Sequence, residues 1–193
     1  MPRARIAILT AALLGVASPA AAQLWEVHLG AVGSYGSADA HGAGIGPVIG
    51  VMPGRLLYAG LRWTYFAGTT ATDSSTATTT DIRNQAQTLS LDLGLVIPKG
   101  PTEIMPGVGI GLTRFVQDAR ASGSGAAWQT STATELLITP GIAVLIPFGR
   151  MAIIPEVQYA LCPHPRVPFP MDHQGLLLSV RTVITFETDR IRQ

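Results

Sequence analysis

The sequence predicts an all-β fold, an eight-stranded antiparallel up-and-down transmembrane β-barrel. Three observations predict it. Beyond residue 23, apolar and polar side chains alternate through eight separate stretches, and a period of two is the period of a strand. No charge falls on the apolar side of any stretch core, while the other side tolerates Asp, Glu and Arg. The connections alternate strictly between long and short. An uncharged apolar face opposed to a polar one suits strands with lipid outside and a polar interior.

The first 22 residues read as an export signal. Arg3 and Arg5 form a basic start, Ile6 to Val16 an apolar stretch, and Ala20-Ala21-Ala22 a small-residue cleavage site before Gln23. The apolar stretch is too short for a membrane-spanning helix and ends in Ser18-Pro19. The expected domains are therefore a removed signal, 1–22, and a barrel, 23–193.

Strands are expected over 24–34, 43–51, 55–66, 86–97, 103–114, 133–147, 150–161 and 174–186. The clearest is the fourth, with Leu89, Leu91, Leu93, Leu95 and Ile97 on one face and Ser90, Asp92 and Gly94 on the other. The same parity aims Trp25, Val27 and Leu29 of the first strand outward, and Leu57, Leu61 and Trp63 of the third. It does so again for Leu136, Ile138 and Ile142 of the sixth and Leu176, Leu178 and Val180 of the eighth. Long connections are expected over 35–42, 67–85, 115–132 and 162–173, all at one end. Short turns at 52–54, 98–102 and 148–149 close the other end. The run 69–80 is a low-complexity Thr/Ser segment that builds no core, and it is expected to be mobile. Pro47, Pro106, Pro140 and Pro155 fall inside strands, where proline cannot donate to a ladder paired on both sides. They predict bulges or breaks of register.

The inward parity collects Glu26, His28, Arg62, Asp92, Glu103, Glu135, Glu156 and Arg181, with Gln158 and many glycines. An eight-stranded barrel is only wide enough inside for side chains, and buried charges must be paired. These residues are the expected interior charge network, with Arg62 and Arg181 as its cations. The acids outnumber those arginines, so some must be protonated, hydrated or near a mouth. Trp25, Phe148 and Phe186 at the turn ends, and Tyr35, Trp63, Tyr65, Phe115 and Tyr159 near the loop ends, are expected to form an aromatic girdle at each membrane interface.

Composition narrows the partners. Charged residues make up 13% of the chain, mean hydropathy is +0.34, and net charge is +1. Lys99 is the single lysine, so no nucleic-acid surface is expected. The single Cys162 excludes an internal disulfide. A soluble lipocalin-like barrel would show the same alternation with the apolar face inward. The glycine-rich, lysine-poor polar face and the aromatic girdles weigh against it.

On this pattern, over 23–193, the chain resembles the small eight-stranded outer-membrane barrel family, that of outer-membrane protein X and the transmembrane domain of outer-membrane protein A. The resemblance implies both termini periplasmic, long loops extracellular, a monomer surrounded by outer-membrane lipid and lipopolysaccharide, and insertion by the barrel assembly machinery. That machinery reads a final strand ending in an aromatic. Val180, Thr182, Ile184 and Phe186 supply the pattern, but Phe186 stands ahead of a seven-residue tail, Glu187 to Gln193, where the family ends on its aromatic.

Chemistry on the scaffold is weakly indicated. A lipid A-modifying enzyme would need an outward His beside a Ser and an acid. His28 has inward parity, and His41, His164 and His173 fall in or beside loops as rim histidines. The segment Cys162 to His173 holds metal-ligand types without a known spacing, among four prolines. No catalytic residue, cofactor or metal is expected. The expected role is membrane-structural or surface-interacting, with a packed polar interior, mobile loops and an unspecified surface ligand; a narrow channel for small solutes is the alternative.

Overall fold

The computed structural model describes residues 25–54, 56–74, 79–123, 125–163 and 165–188. The signal expected over 1–22, His164 and the tail beyond 188 lie outside the described residues. Ten strands form one sheet: β1 (Trp25–Gly36), β2 (Gly42–Pro53), β3 (Leu57–Phe66), β4 (Thr70–Asp73), β5 (Thr80–Leu95), β6 (Ile97–Lys99), β7 (Thr102–Ala121), β8 (Gln129–Phe148), β9 (Met151–Ala160) and β10 (Gly175–Thr188). Eight of them make the wall, in the order β1-β2-β3-β5-β7-β8-β9-β10, every neighbour antiparallel. The β1–β10 ladder closes it. The two others are annexes: β4 pairs with β5 beyond the wall, and β6 prolongs β5 along β7.

Closure fixes the tilt. A path of paired residues that starts at Val27 runs through Val51, Ala59, Leu93, Val108 and Pro140. It crosses β9 at Tyr159 and β10 at Leu176, and reaches the first strand again at Ser37, ten residues on. A stagger of that size around eight strands tilts them by roughly 40° and leaves a lumen that side chains fill.

The wall is apolar outside and mixed inside, as the parity demands. Leu93 is 42% exposed and Leu178 48%, whereas their neighbours Asp92 and Ser179 are 5% exposed. The inverted lipocalin-like arrangement is thereby excluded, because the large aliphatic side chains stand on the convex face. Gly149, at φ 62°, opens the two-residue turn from β8 to β9. That left-handed geometry matches the twist of the hairpin it joins.

Three expectations change. The strand prolines shift no register: β2–β3 pairing has one register on both sides of Pro47, and β8–β9 on both sides of Pro155. The ladder skips those rungs, since proline supplies no N–H there. Second, β5, β7 and β8 run well past their expected loop ends. Outward residues turn polar there, as at Gln85 and Gln87, which ends the apolar signal, but the ladder to the neighbouring strand continues. Third, within the Thr/Ser run, 70–73 is the strand β4, paired with Thr80 to Arg83 of β5.

Candidate functional site

The lumen is built in three layers. At the turn end, Met52, Val96, Met105, Leu145, Ile154 and Val183 pack together. At the loop end, Phe66, Phe115, Leu137, Cys162, Met171 and Leu177 do the same. A polar layer lies between. The interior charges are therefore gathered in the middle layer, with an apolar cluster at each end that also holds uncharged polar groups, Asn84 and Gln117 at the loop end among them. Residues of inward parity such as Met52 and Met105 fill the clusters, and no expectation from the charges alone included them.

In the middle layer Arg62 of β3 and Glu156 of β9 form an ion pair. Those strands are four places apart in a ring of eight, so the pair crosses the lumen. The same Arg62 guanidinium donates to Asp92 Oδ1 at 3.0 Å and to Gln158 Oε1 at 2.9 Å. Asp92 Oδ2 lies 2.9 Å from it without hydrogen-bond alignment. Arg181 of β10 lies 2.8 Å from the second Glu156 oxygen and donates to the Tyr58 hydroxyl at 3.0 Å. Ser90 donates to Asp92 at 3.0 Å. Two cations face two carboxylates, so the quartet is neutral, and most of its polar atoms are held. That is the condition under which buried charge is tolerated.

The glycines make the room. A Cβ at Gly50 or Gly60 would meet the Tyr58 ring, and one at Gly109 would reach Asp92 Oδ1 at 2.8 Å. Tyr58 lies across the lumen because β2 and β3 present no side chain opposite it. Its inward parity was legible, but its polar role was not, since an aromatic at a strand end suggests a girdle. The voids left beside the quartet are about 30 and 10 Å³, of the order of single waters.

The other inward acids are not in the quartet. Glu26 and Glu103 are half-buried at the turn end, and Glu26 lies 3.7 Å from His28. Glu135 is half-buried near the loop end. Trp25, Trp63, Tyr159 and Phe186 stand outward on the wall, and Tyr65 is half-exposed. Phe115 does not join them. Because β7 runs on to Ala121, Phe115 keeps inward parity and is fully buried.

The rim histidines are also corrected. His41 is 1% exposed and His173 8%. His41 packs edge-on to Phe66, with centroids 5.0 Å apart. Among the described residues neither of its ring nitrogens has a hydrogen-bond partner. Burial lowers its pKa from 6.5 to about 4. The connection after β9 folds back over the mouth. Phe169 N–H donates to Gln117 Oε1 at 2.9 Å, Gln174 to the Cys162 carbonyl at 2.7 Å, and Ala40 N–H to the Asp172 carbonyl at 3.1 Å. Cys162 lies beneath it as a free thiol, its pKa pushed up to about 11 by burial. The described residues contain no group of three metal-ligating His, Cys, Asp or Glu side chains.

No protein-family model matches the chain, and no curated protein does. Solved structures do. A major outer membrane protein from Thermus thermophilus superposes with a TM-score of 0.67, at 15% identity over 84% of this chain and 99% of that one. The chain has the fold of the small outer-membrane barrels. Neisserial surface protein A matches with a TM-score of 0.53, at 14% identity over 84% of this chain and 97% of that one. The attachment invasion locus protein Ail of Yersinia pestis, in complex with the heparin analogue sucrose octasulfate, also matches with a TM-score of 0.53, at 8% identity over 85% of this chain and 99% of that one.

Proposed function

We infer that this chain is a closed outer-membrane barrel that acts at the cell surface and conducts no solute. Its short turns and both termini face the periplasm, and its extended ends and connections face outward, in contact with lipopolysaccharide. One observation carries the closed interior: the neutral Arg62–Asp92–Glu156–Arg181 quartet lies between two apolar clusters, and the voids beside it are about 30 and 10 Å³. A solute would have to separate ion pairs in a low-dielectric lumen and also displace an apolar cluster. What remains for function is the outward surface. The extended strands β5, β7 and β8 support that reading, because structure beyond the apolar wall serves no packing purpose inside the membrane.

Planar-bilayer recording of the refolded chain tests it. The expected result is an absence of steady conductance across the voltage range. A stable open level in most insertions would reject the closed interior and establish a channel.

A further inference from the structure

Above the aromatic belt, β5 and β7 continue as a ribbon, and its outward face is not apolar. It carries Asp81 and Arg83 on β5 with Arg114, Asp118 and Arg120 on β7, Asp81 opposite Arg120 and Arg83 opposite Asp118. Trp128, in the connection from β7 to β8, lies against this face. The guanidinium carbons of Arg83 and Arg120 are 4.3 and 4.4 Å from its ring centroid. Arg120 is further held by Asp81 at 3.4 Å. A cleft of about 230 Å³ opens there, lined by Thr70, Thr72, Asp81, Arg83, Arg120 and Trp128.

We propose that this cleft binds a phosphorylated sugar headgroup of the glycolipid that surrounds the barrel. The proposal rests on the outer-membrane reading above and names the contact by which the barrel engages its lipid. A guanidinium presents a planar fork of donors that matches phosphate oxygens. Stacking on an indole fixes that fork in advance, which lowers the ordering cost of binding. The indole edge and the threonine hydroxyls suit the apolar and hydroxyl faces of a sugar ring. At 230 Å³ the cleft is smaller than those that enclose larger ligands, so it takes one sugar residue and not a chain. Three arginines over two aspartates leave the face positive.

Position selects the source. The cleft is on the convex face that continues the lipid-facing wall, so it looks sideways over the leaflet and away from the lumen. Arg83 lies four residues beyond Gln87, which pairs with the belt residue Tyr65. At the rise and tilt of these strands that is about 10 Å above the belt, the level of headgroups. Arg114, opposite Gln87, stands between.

The full refolded barrel in detergent micelles is titrated with diphosphoryl lipid A, with its dephosphorylated form, and with soluble glucosamine 6-phosphate, and bound species are counted by native mass spectrometry. Heat-modifiable mobility and insertion into vesicles verify each variant, so failure of the membrane reading shows separately. Diphosphoryl lipid A should bind best, and Arg83→Gln and Arg120→Gln should each weaken it about ten-fold. Trp128→Leu should weaken it as well. Arg150→Gln, at the opposite end, should change nothing. Equal binding of the dephosphorylated form by an inserted barrel, or unchanged binding by both arginine variants, would overturn the site. Glucosamine 6-phosphate bound as tightly as lipid A would overturn the lipid source in favour of a free sugar phosphate.

Discussion

Arg62 carries more of the interior than any other side chain, since it meets Asp92, Glu156 and Gln158 at once. Glu156 is shared by both cations, and without it Arg181 has no carboxylate opposite it, while Arg62 keeps Asp92. Glu156→Gln should cost about 3–5 kcal/mol of folding stability, read from urea unfolding in vesicles. The double change Arg181→Met with Glu156→Met should cost less than the single one, because Arg62 and Asp92 remain paired and no uncompensated charge is left. If the single change is neutral, the quartet is not what stabilises the lumen. His41 supplies a pH dependence with a definite sign. Its folded pKa of about 4 lies below the 6.5 of the free side chain, so the unfolded chain binds the extra proton. Its contribution is complete above pH 6.5 and is lost as pH falls towards 4, by up to about 3 kcal/mol. His41→Phe, which keeps the packing on Phe66, should flatten the stability profile between those limits relative to the parent. Identical profiles would mean that His41 is hydrated in solution.

At the scale of one strand, β5 separates two environments within a rung. Leu93→Arg puts a cation into the lipid face and should cost about 2–4 kcal/mol. Leu93→Ala, which removes only apolar area, should cost less. A harmless arginine in bilayers would mean that this face is not lipid-exposed. Above Leu89 the same strand leaves the apolar zone without leaving the ladder, so Gln87, Gln85 and Arg83 alternate outward over buried Ala86 and Asn84. This is why the loops expected at 67–85 and 115–132 are partly strands. An apolar outward face marks lipid contact, whereas a strand requires only a hydrogen-bonded neighbour. Prolines show the converse. Pro47 and Pro155 interrupt rungs yet leave the register intact, because the flanking pairs hold the strands in place.

The whole barrel is closed by registers that no single stretch encodes. Ten residues of stagger bring β3 opposite β9, and so Arg62 to Glu156. Folded protein should run with heat-modifiable mobility and be recovered from outer-membrane fractions. Recovery of folded chain from a soluble periplasmic extract would reject that location. The lumen is filled, not merely polar: the cluster at each end is made of inward residues whose neighbours lie on distant strands.

By itself, the sequence determined the class, the eight strands of the wall and the face of each residue in their apolar stretches. A period of two assigns faces, and one face without charges identifies what lies beyond it. It also marked Arg62, Asp92, Glu156 and Arg181 as inward. Which inward side chains meet was decided only by the tertiary structure, since parity names a side of the wall and not a partner across it. Phe115, His41 and His173 were misplaced for the same reason: their burial comes from strands that outrun the membrane and from a connection that folds back over the mouth. The Arg83–Trp128–Arg120 cluster was likewise invisible. Arg83 is remote along the chain from the other two, and only the pairing of β5 with β7, a non-local event, brings them together.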